Sequence, residues 1–162
     1  MPDLSAFPIV ARWPARHPDR IQLYSLNTPN GVKVSIMLEE TGLAYEPHLV
    51  DITNGENQWP EFLALNPNGR IPAIIDPAGP GDRPLALFES GAILLYLADK
   101  TGRFVPADAA QRWQAIQWVF FQMASIGPMF GQLGYFNKFA GKAIADKRPL
   151  ERYVAESKRL LG

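Results

Sequence analysis

Cysteine is absent from all 162 residues of this chain. That absence excludes disulfides, thiolate metal sites and a thiol nucleophile of the protein's own. Net charge is absent too, because 16 Lys and Arg residues balance 16 Asp and Glu residues. No overall field therefore draws the chain to nucleic acid or to an anionic membrane. No uninterrupted apolar segment approaches the roughly 18 residues of a membrane span. The N-terminal stretch "SAFPIVARWPARHPDR" is too short in apolar residues, and too broken by proline, for a signal peptide. The two histidines, His17 and His48, lack partners at ligand spacing, so no metal site is indicated. The missing signals together set a cytoplasmic location as the expectation.

What is present falls into an ordered series of elements. Residues 1–20 carry four prolines and read as an extended arm. "IQLYSL" alternates, with Ile21 and Leu23 on one face and Gln22 and Tyr24 on the other, as a strand does. "GVKVSIMLEETG" follows as a helix whose apolar stripe includes Val34, Met37 and Leu38, with Gly42 as its stop. "AYEPHLVDI" returns as a strand, and its Pro47 points to an edge or a bulge. "WPEFLALNP" reads as a short helix ended at Pro67. "GRIPAIID" and "LALF" are strands around the turn-rich "PAGPGDRP". "ESGAILLYLADKTG" is a helix closed by Gly102. The order βαβ, short α, ββα predicts one small α/β domain over residues 21–102.

A linker, "RFVPADAA", leads to a second, helical region over residues 108–162. Asp108 and Gln111 resemble a capping box ahead of a long helix. Trp113, Ile116, Phe120 and Ala124 form its stripe, and Gly127-Pro128 is expected to kink or end it. The aromatics Trp113, Trp118, Phe120, Phe121 and Phe130 read as core. "PLERYVAESKRLLG" begins another helix, with Leu150, Val154 and the Ser157/Leu161 line facing inward.

Three blocks, "TPNGVKVSIMLEE", "NPNGRIPAIID" and "FESGAILLYLADKTG", in this order and spacing, resemble the glutathione transferase superfamily. The "TPNG" turn and "AIQWVFFQMASIGPMFGQ" are most similar to the bacterial nu class and its fungal nitrogen-regulator relatives. The resemblance covers residues 20–162. It implies a thioredoxin-like N-terminal domain followed by an all-helical domain, assembled as a homodimer. Family members continue with several more helices past the point matching Gly162. The resemblance therefore implies that the helical domain is truncated here, with an exposed apolar patch and low activity.

The same resemblance supplies the thiol that the chain lacks: it belongs to glutathione, a cosubstrate. Thr28 and Asn30, at the start of the first helix, are its implied catalytic residues. Unsatisfied N–H groups at a helix start attract an anion, and donors around a thiol lower its pKa. Read alone, Thr28 is better explained as a helix cap, with Pro29 at the first position and Asn30 shaping the turn; the other two blocks turn the reading toward the thiol. Ile71-Pro72 matches the family's cis proline, where the backbone of Ile71 can pair with the cysteinyl unit of the tripeptide. Glu89 and Ser90 match the pair implied to hold the γ-glutamyl ammonium and carboxylate. Taken alone they are an acid and a cap favoured by the helix dipole. Gln58 and Arg70 match positions near the glycine end or a second glutathione. Arg152 matches a guanidinium implied to reach glutathione carboxylates, with an ion pair to Glu156 as the competing explanation.

The implied partners are glutathione and a small disulfide or an electrophile. "TPNG" favours disulfide reduction, glutathione conjugation being the alternative chemistry. A non-catalytic binding or regulatory module of the same fold is the third possibility.

Overall fold

Two runs of residues, 2–104 and 105–162, form separate compact units in the structure, a computed structural model that describes residues 2–162. The first unit is built on a four-stranded sheet in the order β2-β1-β3-β4. Strand β1 (Ile21–Ser25) pairs in parallel with β2 (Tyr45–Leu49) and antiparallel with β3 (Ala73–Asp76), which pairs antiparallel with β4 (Leu85–Phe88). A parallel pair needs a crossover, and α1 (Gly31–Thr41) provides it. Helix α2 (Pro60–Leu65) and helix α3 (Ser90–Thr101) complete the unit. Gly42 and Gly102 end α1 and α3 in the left-handed conformation. This is the thioredoxin-like arrangement that the family resemblance implies.

Alternation along β1 divides the core in two. Tyr24, Ala73 and Ile75 belong to a buried cluster with Phe62 and Leu65 of α2. Leu23 and its register partner Ile74 point the other way, toward α1 and α3, whose Val34, Leu38, Ile93 and Leu97 are fully buried. Both faces of the sheet are therefore covered, which explains why every residue of β1 but Ser25 is buried. Gln22 is tolerated there because its Nε2 donates to the carbonyls of His17 and Arg20.

Residues 2–20 differ from the extended arm expected over 1–20; residue 1 lies outside the described residues. Pro8–Ala11 form a 3-10 turn, and Leu4 and Ile9 are buried in the α2-side cluster. Pro8 opens the turn, where a missing N–H costs nothing. The segment is fastened further along. Trp13 stacks on Trp59 at 5.7 Å, and its Nε1 donates to the Leu49 carbonyl at 2.9 Å. The Glu46 carboxylate accepts from the N–H groups of Arg16 and His17.

The second unit contains α4 (Ala109–Phe121), α5 (Gly127–Lys138) and α6 (Arg148–Leu161). Asp108 caps α4 through its Oδ1, which accepts the Gln111 N–H at 2.9 Å. Gly127-Pro128 does not end the helix: α4 runs into α5 through a π-helical turn, Gln122–Ile126. A π turn is the usual way for a helix to absorb one irregular position. Helix α5 packs on α6, where Phe136 stacks on Tyr153 at 5.6 Å. The aromatics expected as core are not buried. Trp113, Trp118 and Phe120 are more than 60% exposed. Helix α4 continues into α5 instead of folding back beside it, so within this unit no helix covers its stripe. Leu161 of α6 is exposed for the same lack of a facing element.

Candidate functional site

The β1–α1 turn sets the geometry of the site. Thr28 Oγ1 accepts the Gly31 N–H at 3.1 Å, and the Thr28 carbonyl accepts the Val32 N–H at 3.0 Å. Thr28 is thus a helix cap, and its hydroxyl, having accepted, still has its proton to donate. Gly31 is required by close approach: a Cβ there would lie 2.0 Å from the Leu26 carbonyl oxygen. Asn30 follows Thr28 onto the exposed rim, and its Oδ1 accepts from Lys33 Nζ at 2.9 Å.

A groove runs from this turn along the end of the sheet. One part, a cleft of about 370 Å³, is lined by Thr28, Asn30, Gln58, Arg70 and Ile71 together with Asn57 and Asn68. A smaller hollow beside it adds Pro72, Glu89 and Ser90 and shares Asn30, Arg70 and Ile71 with the first. The structure so brings together eight of the nine residues singled out in the sequence. The ninth, Arg152, stands on α6 in the second unit and is exposed. Glu156 does not hydrogen-bond to it as the ion-pair reading supposed. Glu156 makes a two-toothed pair with Arg159 at 2.9 and 2.7 Å. That pair holds the Glu156 carboxyl below the usual range, with a further contribution from the Arg152 charge.

The loop segments of the groove are tied to one another. The Gly69 carbonyl accepts from Asn57 Nδ2 at 2.7 Å and from Gln58 Nε2 at 3.2 Å. Gly69 has φ +61°, and a Cβ there would press within 2.6 Å of Gln58 Nε2, so this position favours glycine. Asn66 Nδ2 donates to the Arg70 carbonyl, fixing the approach to Ile71-Pro72. That peptide bond is cis. Across the groove Glu89 holds φ +70°, outside the regions open to most residues with a Cβ. Glu89 is the cap position of α3, and Ser90 is its first residue, one step later than the reading in which Ser90 caps. Ser90 is buried at the helix start, while the Glu89 side chain is exposed.

Five groove residues escaped the sequence reading: Ile52, Asn57, Asn66, Asn68 and Gly69. Lys33 lines neither part and meets the groove through Asn30, and their i, i+3 spacing was the available signal for that contact. Tyr24 is placed far from the groove chemistry. It is buried against His48 and Trp13, and burial, helped by Glu46, raises its hydroxyl well above the ordinary tyrosine range. Among the described residues no group of three or more His, Cys, Asp or Glu side chains could hold a metal ion. None of the described helices is long and apolar enough to cross a membrane.

Fold and groove define a thioredoxin-like unit whose first-helix terminus faces a polar, peptide-sized cleft. Residues 20–99 match the model of the glutathione S-transferase N-terminal domain. The chain is 72% identical to a glutathione transferase from Burkholderia graminis, solved with two glutathione molecules per subunit. That match has a TM-score of 0.98 over 100% of this chain and 68% of that one. It is 65% identical to a Pseudomonas putida glutathione transferase solved with one glutathione disulfide per subunit. There the TM-score is 0.97 over 99% of this chain and 70% of that one. It is also 48% identical to the disulfide-bond oxidoreductase YfcG of Escherichia coli, over 86% of this chain and 65% of that relative. The chain belongs to the glutathione transferase superfamily. It spans less than two thirds of the length of YfcG.

Proposed function

We propose that this chain acts in glutathione-dependent reduction of small disulfides, in the manner of the nu class. The observation that carries the reading is the Thr28 hydroxyl. It is pinned by the Gly31 N–H at the α1 terminus and has a proton left to give, in a chain without cysteine. The thiol must come from the substrate. A glutathione thiolate placed at this turn accepts from Thr28 Oγ1 and sits at the positive end of α1.

The thiolate attacks one sulfur of the disulfide, forming a mixed disulfide and releasing the first product thiolate, which takes a proton from solvent. A second glutathione thiolate then attacks the glutathione sulfur of the mixed disulfide. Glutathione disulfide forms and the second product thiol leaves. Two thiols are oxidised, one disulfide is reduced, and no enzyme thiol takes part. The B. graminis structure, with two glutathiones, and the P. putida structure, with their disulfide, support this pairing of substrates and product.

In this reading the Ile71 backbone pairs with the cysteinyl unit, and Glu89 and Ser90 take the γ-glutamyl ammonium and carboxylate. Gln58 and Arg70 serve the glycine end or the second glutathione. Arg152 is assigned to a glutathione carboxylate on resemblance alone. A homodimer in the cytoplasm completes the proposal.

Glutathione-dependent reduction of hydroxyethyl disulfide, coupled to glutathione reductase, tests it. Thr28→Val should lower kcat/KM by about 10–100-fold, the worth of one hydrogen bond to a charged group. Wild-type turnover of an electrophile such as chlorodinitrobenzene with none of the disulfide would replace reduction by conjugation.

A further inference from the structure

Lys33, on α1, lines neither part of the groove but touches it through Asn30. Its ammonium lies 2.9 Å from Asn30 Oδ1. An ammonium only donates, so it dictates which end of the carboxamide faces it. With Oδ1 turned toward Lys33, the Nδ2 donor of Asn30 points away from that contact. Asn30 lines both parts of the groove, so the freed end is the one available to a ligand.

The second observation concerns charge. Burial lowers the Lys33 pKa, while the Glu89 carboxylate acts on it in the opposite direction. Glu89 therefore favours the charged form of Lys33. With glutathione bound, Glu89 is taken by the γ-glutamyl ammonium in the reading above, and the charge left beside Asn30 is that of Lys33. A nearby cation favours a thiolate.

We propose that Lys33 is a positioning residue of this site: it orients Asn30 as a donor toward the ligand sulfur, and its charge beside Asn30 favours the ionised thiol. The inference rests on the thiolate reading above. It extends that reading from the turn to a residue on the helix that touches no reacting atom.

The test is the ionisation of bound glutathione, followed by the ultraviolet absorbance of its thiolate as pH is varied. Wild type is compared with Lys33→Met, Lys33→Gln and Lys33→Arg, each checked for folding by circular dichroism. Calorimetry gives the affinity for glutathione. In the wild type the midpoint should lie below that of free glutathione. Either neutral variant should raise it by about half a unit or more, a roughly threefold smaller thiolate fraction at a given pH. Lys33→Arg should restore it, since a guanidinium also donates to Oδ1 and keeps the charge. An unchanged midpoint in folded Lys33→Met and Lys33→Gln overturns the role of Lys33 while leaving the thiolate reading intact. A wild-type complex whose thiol titrates as in free solution overturns the thiolate reading, and Lys33 with it.

Discussion

Glu89 keeps its φ of +70° even though a Cβ makes that conformation costly. The residue before α3 must both end β4 and start the helix in a short space, and the backbone turns through this conformation to do so. Glycine would turn there without strain. Glu89→Gly should therefore leave thermal stability unchanged or raise it by up to about 1 kcal/mol, the relief of φ strain being partly offset by the freedom glycine gains in the unfolded chain. The same variant should weaken glutathione binding about tenfold, because a charge-assisted hydrogen bond of roughly 1.5 kcal/mol is lost. Thermal melts and calorimetric titration of one protein sample read both effects. A melt that drops sharply would show that the side chain, not the ligand, holds this conformation in place.

At the scale of elements, the N-terminal segment matters most. Ile9 is fully buried among Tyr24, Phe62 and the other members of the α2-side cluster. Arg12 lies over the Trp59 ring at 4.9 Å and pairs with Glu61 at 3.0 Å. The segment thus braces α2 and the loop before it, which carries Asn57 and Gln58. Ile9→Ala should cost about 3 kcal/mol in urea unfolding, as removal of a fully buried aliphatic side chain does. A change below about 1 kcal/mol would mean that the segment merely rests on the sheet.

This brace was not legible in the sequence. Four prolines argue against regular structure, and nothing in the local pattern says that a proline-opened 3-10 turn will be buried by residues as distant in the chain as Tyr24, Phe62 and Ile75. The elements whose periodicity and stops agree were legible: α1 to Gly42, β4, and α3 to Gly102. The groove was legible where residue type and family block coincide, at Thr28, Ile71-Pro72 and Glu89. It was illegible at Asn57, whose partner Gly69 is twelve residues on, and the Lys33 contact to Asn30 was passed over because a lysine on an amphipathic helix ordinarily faces water. The stripe of α4 was legible as apolar but not as exposed, since what faces a helix is decided by the path of the chain after it.

The whole first unit carries a sensitivity to acid. Gln22 spends Nε2 on two carbonyls, so its Oε1 accepts from His48 Nε2–H at 2.8 Å. Burial pushes the His48 pKa below its ordinary 6.5, against the pull of Glu46. Burial works to raise Glu46, yet the Arg16 and His17 N–H groups and the neighbouring histidines hold it below its ordinary 4.5. Both groups bind protons more readily in the unfolded chain, so stability rises with pH, and is lost as pH falls, wherever that difference operates. The loss should begin as pH drops below about 6.5 through His48 and deepen below about 4.5 through Glu46. Melting temperature against pH should show two stages, and His48→Gln should flatten the first. A first stage that survives the substitution would assign it to another group.

The groove has a consequence for the molecule as a whole. Its walls come from the β1–α1 turn, the loop before α2, the loop before β3 and the start of α3, segments that meet only when the sheet is closed. A ligand that spans them binds the folded chain alone, and at a hundred times its dissociation constant adds about 2.7 kcal/mol to stability. For a protein whose proposed ligand is the cell's own thiol reserve, endurance becomes a property of its surroundings. The chain is sturdiest while glutathione is plentiful and grows fragile as that reserve is drained.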